Sequence, residues 1–293
     1  MTRRLAKGRA RRVQGPGTGN ALFVNMELSK HLNRLRFWRD SRRAHRDLEL
    51  ARSEVTSLLR AGAGSGVTKL GPRPEKRLVL YELETCPDSR RVREALSMLD
   101  IDVDIRPCPS GAEVHRRELE SIGGKPEIPA LLDPNTMAVV HGADPIIEYL
   151  FVCYGAGKPP LSLRLGPLAA ATSRLASAMR GKTPSLRAAD RPEQPLELWS
   201  YEASPESRLV RETLSAYGLP YVLYNAARGS PKRRRLAALS NGRGVPLLID
   251  PNRDVVMHGA TNIRAYLRET YARPAIAEPV TPDPIRGDRA SVH

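Results

Sequence analysis

Leu78-Val79-Leu80-Tyr81-Glu82-Leu83-Glu84-Thr85-Cys86-Pro87-Asp88-Ser89-Arg90-Arg91-Val92-Arg93 joins an apolar strand, a Cys-Pro turn and the start of an amphipathic helix. The β-prone run stops at a turn-forming pair, and apolar residues then recur at helical spacing. Cys86 therefore stands at a helix N-terminus, where unpaired backbone N–H groups and the helix dipole favour a thiolate over a thiol.

The same order returns as Leu196-Glu197-Leu198-Trp199-Ser200-Tyr201-Glu202-Ala203-Ser204-Pro205-Glu206-Ser207-Arg208-Leu209-Val210-Arg211, with Ser204 in the place of the cysteine. At an offset of 117 residues Ile128-Pro129 meets Val245-Pro246, Asp133-Pro134-Asn135 meets Asp250-Pro251-Asn252, His141-Gly142-Ala143 meets His258-Gly259-Ala260, and Tyr149-Leu150 meets Tyr266-Leu267. At the first helix the offset is 118, where Val92-Arg93-Glu94 meets Val210-Arg211-Glu212. Such a one-residue change of register is what a loop insertion or deletion leaves between two copies of one domain.

Hydrophobic periodicity and turn residues predict, in the first copy, a strand at 77–83, a helix at 88–100, a strand at 102–106, a helix at 111–121, strands at 129–132 and 137–141, and a helix at 143–154. The order β-α-β-α-β-β-α then repeats, so domains are expected at 77–155 and 196–272. The Gly- and Pro-rich residues 61–76 read as a linker, flexible and then stiff. Residues 156–195 read as a second linker with a short helix near Leu168–Met179, and 273–293 as a disordered tail.

The net charge of +15 is unevenly spread: residues 1–60 hold 15 basic and 5 acidic residues, leaving only +5 for the other 233. Residues 1–20 lack any acid and read as a disordered basic tail; 21–60 read as an amphipathic basic helical segment. Such a leader can pack on a domain or contact an anionic partner. Cys86, Cys108 and Cys153 are too scattered for a disulfide framework or a zinc site, and His115, His141 and His258 lack ligands at chelating spacing, so no metal is expected. No apolar run approaches the roughly 18 residues that span a bilayer, so no transmembrane segment is expected. A cytoplasmic location follows, or a plastid or other organelle if the Arg-rich start is a transit peptide.

Strand–Cys-Pro-x-Ser–helix, an apolar-Pro pair opening the third strand, and a final strand–helix ending in Ile-x-x-Tyr-Leu resemble the thioredoxin-like domain of glutaredoxins and of the N-terminal half of glutathione transferases. The tandem arrangement is similar to double-domain proteins best known from plastids and cyanobacteria. The resemblance implies an α/β fold: two tandem thioredoxin-like domains, each with a mixed four-stranded sheet, after a basic helical leader. It implies Cys86 as nucleophile, with Ser89 donating a hydrogen bond to its thiolate and Arg90 and Arg91 nearby, while Asp88 and Glu84 oppose. Pro87 begins the helix. Pro129 would be cis, and Ile128 would present its backbone to a peptide-like thiol. Ala143 and Asp144, at the start of the last helix, would hold the γ-glutamyl end of glutathione. The equivalents in the second copy are Ser204, Ser207, Val245, Pro246 and Thr261.

Two departures narrow the implied activity. Ser89 replaces the second cysteine of Cys-Pro-x-Cys, which leaves a monothiol route with glutathione as co-substrate and glutathione or glutathionylated protein thiols as partners. Glutathione transferases usually begin the last helix with Glu-Ser, where this chain has Gly142-Ala143 and Gly259-Ala260. The implied function is glutathione binding with glutaredoxin-like or transferase-like thiol chemistry at Cys86. The alternative is a non-catalytic tandem adaptor whose basic leader contacts an anionic partner.

Overall fold

Leu78 and Leu80 join one large core, whereas Val79 and Tyr81, on the other face of the strand, join a smaller cluster with Cys108, Leu119 and Ala130. Alternation with both faces covered is what makes this run a central strand. The computed structural model describes residues 64–68, 70–123, 125–164 and 186–273. The expected tail 1–20, the helical segment 21–60, the short helix near Leu168–Met179 and the tail beyond residue 273 lie outside the described residues.

The first copy comprises β1 (Leu78–Glu82), α1 (Pro87–Met98), β2 (Val103–Pro107), α2 (Glu113–Ser121), β3 (Ala130–Asp133), β4 (Ala138–His141) and α3 (Ala143–Tyr154). A single-turn α4 (Leu161–Arg164), absent from the sequence expectation, follows. The second copy repeats the order as β5 (Leu196–Ser200), α5 (Pro205–Ala216), β6 (Tyr221–Asn225), α6 (Arg233–Leu239), β7 (Leu247–Asp250), β8 (Val255–His258) and α7 (Ala260–Tyr271). β1 runs parallel to β2 and antiparallel to β3, which pairs antiparallel with β4.

The two four-stranded sheets are continuous. β2 pairs antiparallel with β6, giving one 8-stranded sheet in the order β4-β3-β1-β2-β6-β5-β7-β8. Asp104 faces Val222, the residue that holds its own place in the other copy, while Val103 faces Leu223 and Ile105 faces Tyr221. The copies thus meet about a local two-fold axis, as the halves of an isologous dimer do. One core runs through both, with Val92 and Leu96 of α1, Ile146 and Leu150 of α3, Val210 and Leu214 of α5, and Ile263 and Leu267 of α7.

Charge is buried at this axis. Glu84, Glu202, Arg93 and Arg211 are each at most 2% exposed. Arg93 meets Glu84 of its own copy at 3.1 Å and Glu202 of the other at 3.0 Å; Arg211 meets Glu202 at 2.9 Å and Glu84 at 3.1 Å. The symmetry breaks at one position: Arg93 also pairs with Glu82, whereas Arg211 donates to the hydroxyl of Ser200 at 3.0 Å. Burial would raise the pKa of Glu202, but Arg211, Arg93, Arg90 and Arg208 outweigh it and hold the carboxyl well below the usual range.

The linkers are built into the same junction. Val67 N–H donates to Arg228 O at 2.8 Å and Thr68 N–H to Met98 O at 2.8 Å, so residues 64–68 cross from one copy to the other. Before the second copy, Leu186 N–H donates to Ser110 O and Arg187 N–H to Ala216 O, both at 2.9 Å, the equivalent contacts. Within the linker expected at 61–76, flexible and then stiff, residues 64–68 form a strap bonded to both copies. Gly64 has φ +78°, and a Cβ there would meet Glu202 Cβ at 3.1 Å and Glu94 Cα at 3.2 Å, so glycine permits the close crossing.

The repeated Asp-Pro-Asn turn is a lock. Asp133 accepts hydroxyl hydrogen bonds from Tyr149 at 2.6 Å and Tyr154 at 2.5 Å; Asp250 accepts the same pair from Tyr266 and Tyr271. Asn135 pairs with the Lys76 backbone, and Asn252 with that of Gln194, which fastens each strap to its turn.

Replacing Arg93 with Met strands buried carboxylates and should cost about 3–5 kcal/mol in urea denaturation. Arg77→Met, which removes a half-exposed pair with Asp104, should cost about 1 kcal/mol or less. Burial pushes the Glu82 carboxyl up to about 7: Arg93 opposes the shift, and Glu84 and Glu202 add to it. A carboxyl that binds its proton more tightly folded than unfolded stabilises the fold below its ordinary 4.5 and loses that contribution as pH rises through about 7. Unfolding free energy should therefore carry a falling component from pH 4.5 to 7, which Glu82→Gln removes.

Candidate functional site

Strand register gathers the expected site residues at one end of the sheet. Tyr81 lies opposite Ala130 and Ala130 opposite His141, so the β1–α1 turn, residues 128–129 and the start of α3 share that end. Cys86 is the N-cap of α1, with extended φ −72° and ψ 126°, and Pro87 is the first helical residue. The Cys86 N–H donates to Leu83 O at 2.9 Å and its carbonyl accepts from Arg90 N–H at 3.1 Å. The side chain is half-buried and makes no capping hydrogen bond.

The Ile128–Pro129 and Val245–Pro246 peptides are both cis. Among the described residues, the backbone of Ile128 carries no hydrogen bond, while the Pro129 carbonyl accepts from Gly142 N–H at 3.0 Å. Gly142 has φ +82°, a conformation glycine adopts at little cost, and it turns β4 into α3 so that the amides of Ala143 and Asp144 open the helix. The exposed Asp144 carboxylate is held by Arg91, which also donates to Leu163 O at 3.2 Å and so ties α4 to the site. Along the flank of α3 lies a cavity of about 420 Å³ lined by Asp144, Ile147, Glu148, Lys158, Leu163 and Arg164.

Several expected roles change. Ser89 is wholly buried, and its hydroxyl accepts from Leu83 N–H at 3.4 Å, so it braces the turn that carries Cys86. Arg90 and Arg91 are not aimed at the thiol: Arg90 meets Glu94 at 3.1 Å and Glu202 at 3.8 Å, and Arg91 meets Asp144. In the second copy Ser204 is 4% exposed, and its hydroxyl accepts from Ser207 N–H at 3.3 Å, capping its own helix. Ser207 is buried and its hydroxyl has no partner among the described residues. Thr261 is exposed at the start of α7.

One contact set was missed from sequence. Glu84, expected only to oppose the thiolate, is gripped from the other copy: Arg211 donates to both its oxygens at 3.1 and 3.3 Å, and its N–H donates to Ser215 Oγ at 3.4 Å. The available signal was the pair Glu84 and Arg93, which recurs as Glu202 and Arg211.

Cys153 is half-buried against the large core, and Cys108 is fully buried. Burial pushes the Cys108 thiol up to about 12. Among the described residues, no three His, Cys, Asp or Glu side chains form a group that could hold a metal ion. No described helix is long and apolar enough to cross a membrane. With iodoacetamide at pH 8, mass spectrometry of the native protein should find Cys108 reacting on the order of a thousandfold more slowly than an exposed thiol of ordinary pKa ~8.5, with Cys86 labelled first.

Comparison with curated proteins finds no match, and neither does comparison with solved structures. The family model described as glutathione S-transferase, N-terminal domain, matches twice, at residues 80–159 and 198–275. These stretches are the two copies joined at the axis, and together they cover more than half of the sequence. The chain belongs to the glutathione S-transferase N-terminal domain family and carries that domain twice.

Proposed function

We propose that the first copy binds glutathione or glutathionylated protein thiols and that Cys86 performs monothiol exchange on them. The observation that carries this reading is the contrast at equivalent N-caps. Ser204 is buried and engaged in capping its helix, whereas the Cys86 thiol makes no capping bond and is partly open to solvent. Further support comes from Ile128, whose unbonded backbone lies at the same sheet end and suits strand-like addition of a peptide. The amides of Ala143 and Asp144 suit a carboxylate, and Asp144 suits an ammonium group.

In the proposed cycle the Cys86 thiolate attacks the glutathione sulfur of a glutathionylated protein. The protein thiolate leaves and Cys86 becomes a mixed disulfide with glutathione. A second glutathione thiolate attacks the glutathione sulfur of that disulfide, releasing glutathione disulfide and restoring Cys86. The second copy, which lacks a cysteine, takes no covalent part. The basic leader, with its excess of +10 over residues 1–60, remains the part of the chain suited to an anionic partner.

Glutathione should protect Cys86 from alkylation in a saturable way. Turnover on a glutathionylated peptide should vanish in Cys86→Ser and persist in Cys108→Ser. Absence of protection together with undiminished turnover in Cys86→Ser would remove the proposal.

A further inference from the structure

Two side chains of the cysteine-free copy hold the turn that carries the thiol. Arg211 grips the Glu84 carboxylate through two nitrogens, at 3.1 and 3.3 Å, and Ser215 Oγ accepts the Glu84 N–H at 3.4 Å. From its own copy, Arg93 donates to the Glu84 carbonyl at 3.2 Å. The side chain and both peptide groups of Glu84 are therefore fixed two residues before Cys86. The turn then closes through Cys86 N–H to Leu83 O.

We propose that Arg211 and Ser215 are positioning residues for Cys86, so that the second copy sets the reactivity of the first across the two-fold axis. This rests on Cys86 being the working thiol. The reciprocal contacts exist: Ser97 Oγ accepts Glu202 N–H at 3.0 Å, Arg93 meets the Glu202 carboxylate at 3.0 Å, and Arg211 donates to the Glu202 carbonyl at 3.3 Å. They lead only to Ser204, which is buried and capping its helix, so control runs in one direction. The helix-end field that favours a thiolate falls off within one turn, so a small displacement of residues 84–86 changes how strongly the thiol feels it.

The axis supplies a control at the equivalent position, although the Ser97 hydroxyl also donates to Asn225 Oδ1 at 2.8 Å, a bond Ser215 lacks among the described residues. In the full-length protein, Ser215→Ala frees the amide upstream of Cys86, and Ser97→Ala frees the equivalent amide upstream of Ser204. The readouts are the iodoacetamide rate constant of the Cys86 peptide across about pH 6–9 and urea stability. Ser215→Ala should slow Cys86 by about threefold to tenfold at neutral pH and move its pH profile, and Ser215→Thr should restore both. Arg211→Lys, which keeps the charge but loses the two-point grip, should slow Cys86 in the same way. Ser97→Ala, which also removes the hydrogen bond to Asn225, should lose at least as much stability and leave Cys86 unchanged. Equal effects of the two alanine variants on Cys86, or none from Ser215→Ala and Arg211→Lys, would overturn the inference. Glutathione protection of the wild-type protein is scored separately: its absence defeats glutathione binding, while the alkylation contrast still decides the positioning role.

Discussion

Two arginines and two glutamates buried at the two-fold axis constrain everything around them. Each arginine needs a carboxylate from both copies, because Arg93 closes on Glu202 and Arg211 closes on Glu84. Removing any one of the four would leave the others buried and short of a partner, which is far costlier than the net gain from forming such a cluster. The cluster is therefore weak as a source of stability but strong as a specification. A one-residue slip of β2 along β6 would turn the side chains of one strand to the wrong face and carry Arg93 away from Glu202.

That constraint explains why the sheet is continuous. A lone copy would expose β2 as an edge with unpaired backbone groups; pairing it with β6 removes both inner edges at once. The straps reinforce the join, since each bonds to the other copy just before its own first strand: Val67 to Arg228, Leu186 to Ser110. The family model counts two domains, but the core, the sheet and the straps make the junction a structural unit in its own right.

The elements within each copy were legible because local patterns determine them. The helix expected at 88–100 is Pro87–Met98, and the strand expected at 137–141 is Ala138–His141. Cys86 at its N-cap and the two proline pairs were also legible, since strand, turn and helix signals abut there. The junction was not. Val103-Asp104-Ile105 has the pattern of any half-covered strand, and nothing local tells it to pair with residues 221–223. The burial of the charges of α1 was not legible for a related reason. Arg90, Arg93 and Glu94 are buried, and the partner of both arginines, Glu202, arrives from the distant copy. The bond that Ser89 accepts from a backbone amide six residues back was not legible either, because residue type does not reveal it.

Duplication within one chain offers a way to separate architecture from chemistry. Positions identical in both copies serve the frame: Glu84 and Glu202, Arg93 and Arg211, Ser97 and Ser215 hold the axis, while Asp133 and Asp250 anchor tyrosines. Among the many positions that differ, three lie at the end of the sheet that carries the thiol: Cys86 against Ser204, Thr85 against Ala203 and Asp144 against Thr261. Axial symmetry restrains the first group, because a change on one side breaks a contact on the other. The N-cap position makes no contact of this kind, and there Cys86 is half-buried and makes no capping bond while Ser204 is buried and caps its helix. Glu82, whose counterpart is Ser200, breaks the symmetry inside the axis itself, and it lies on the strand that leads to Cys86. The structural asymmetry between the copies is therefore present at the charged junction as well as at the N-caps of α1 and α5.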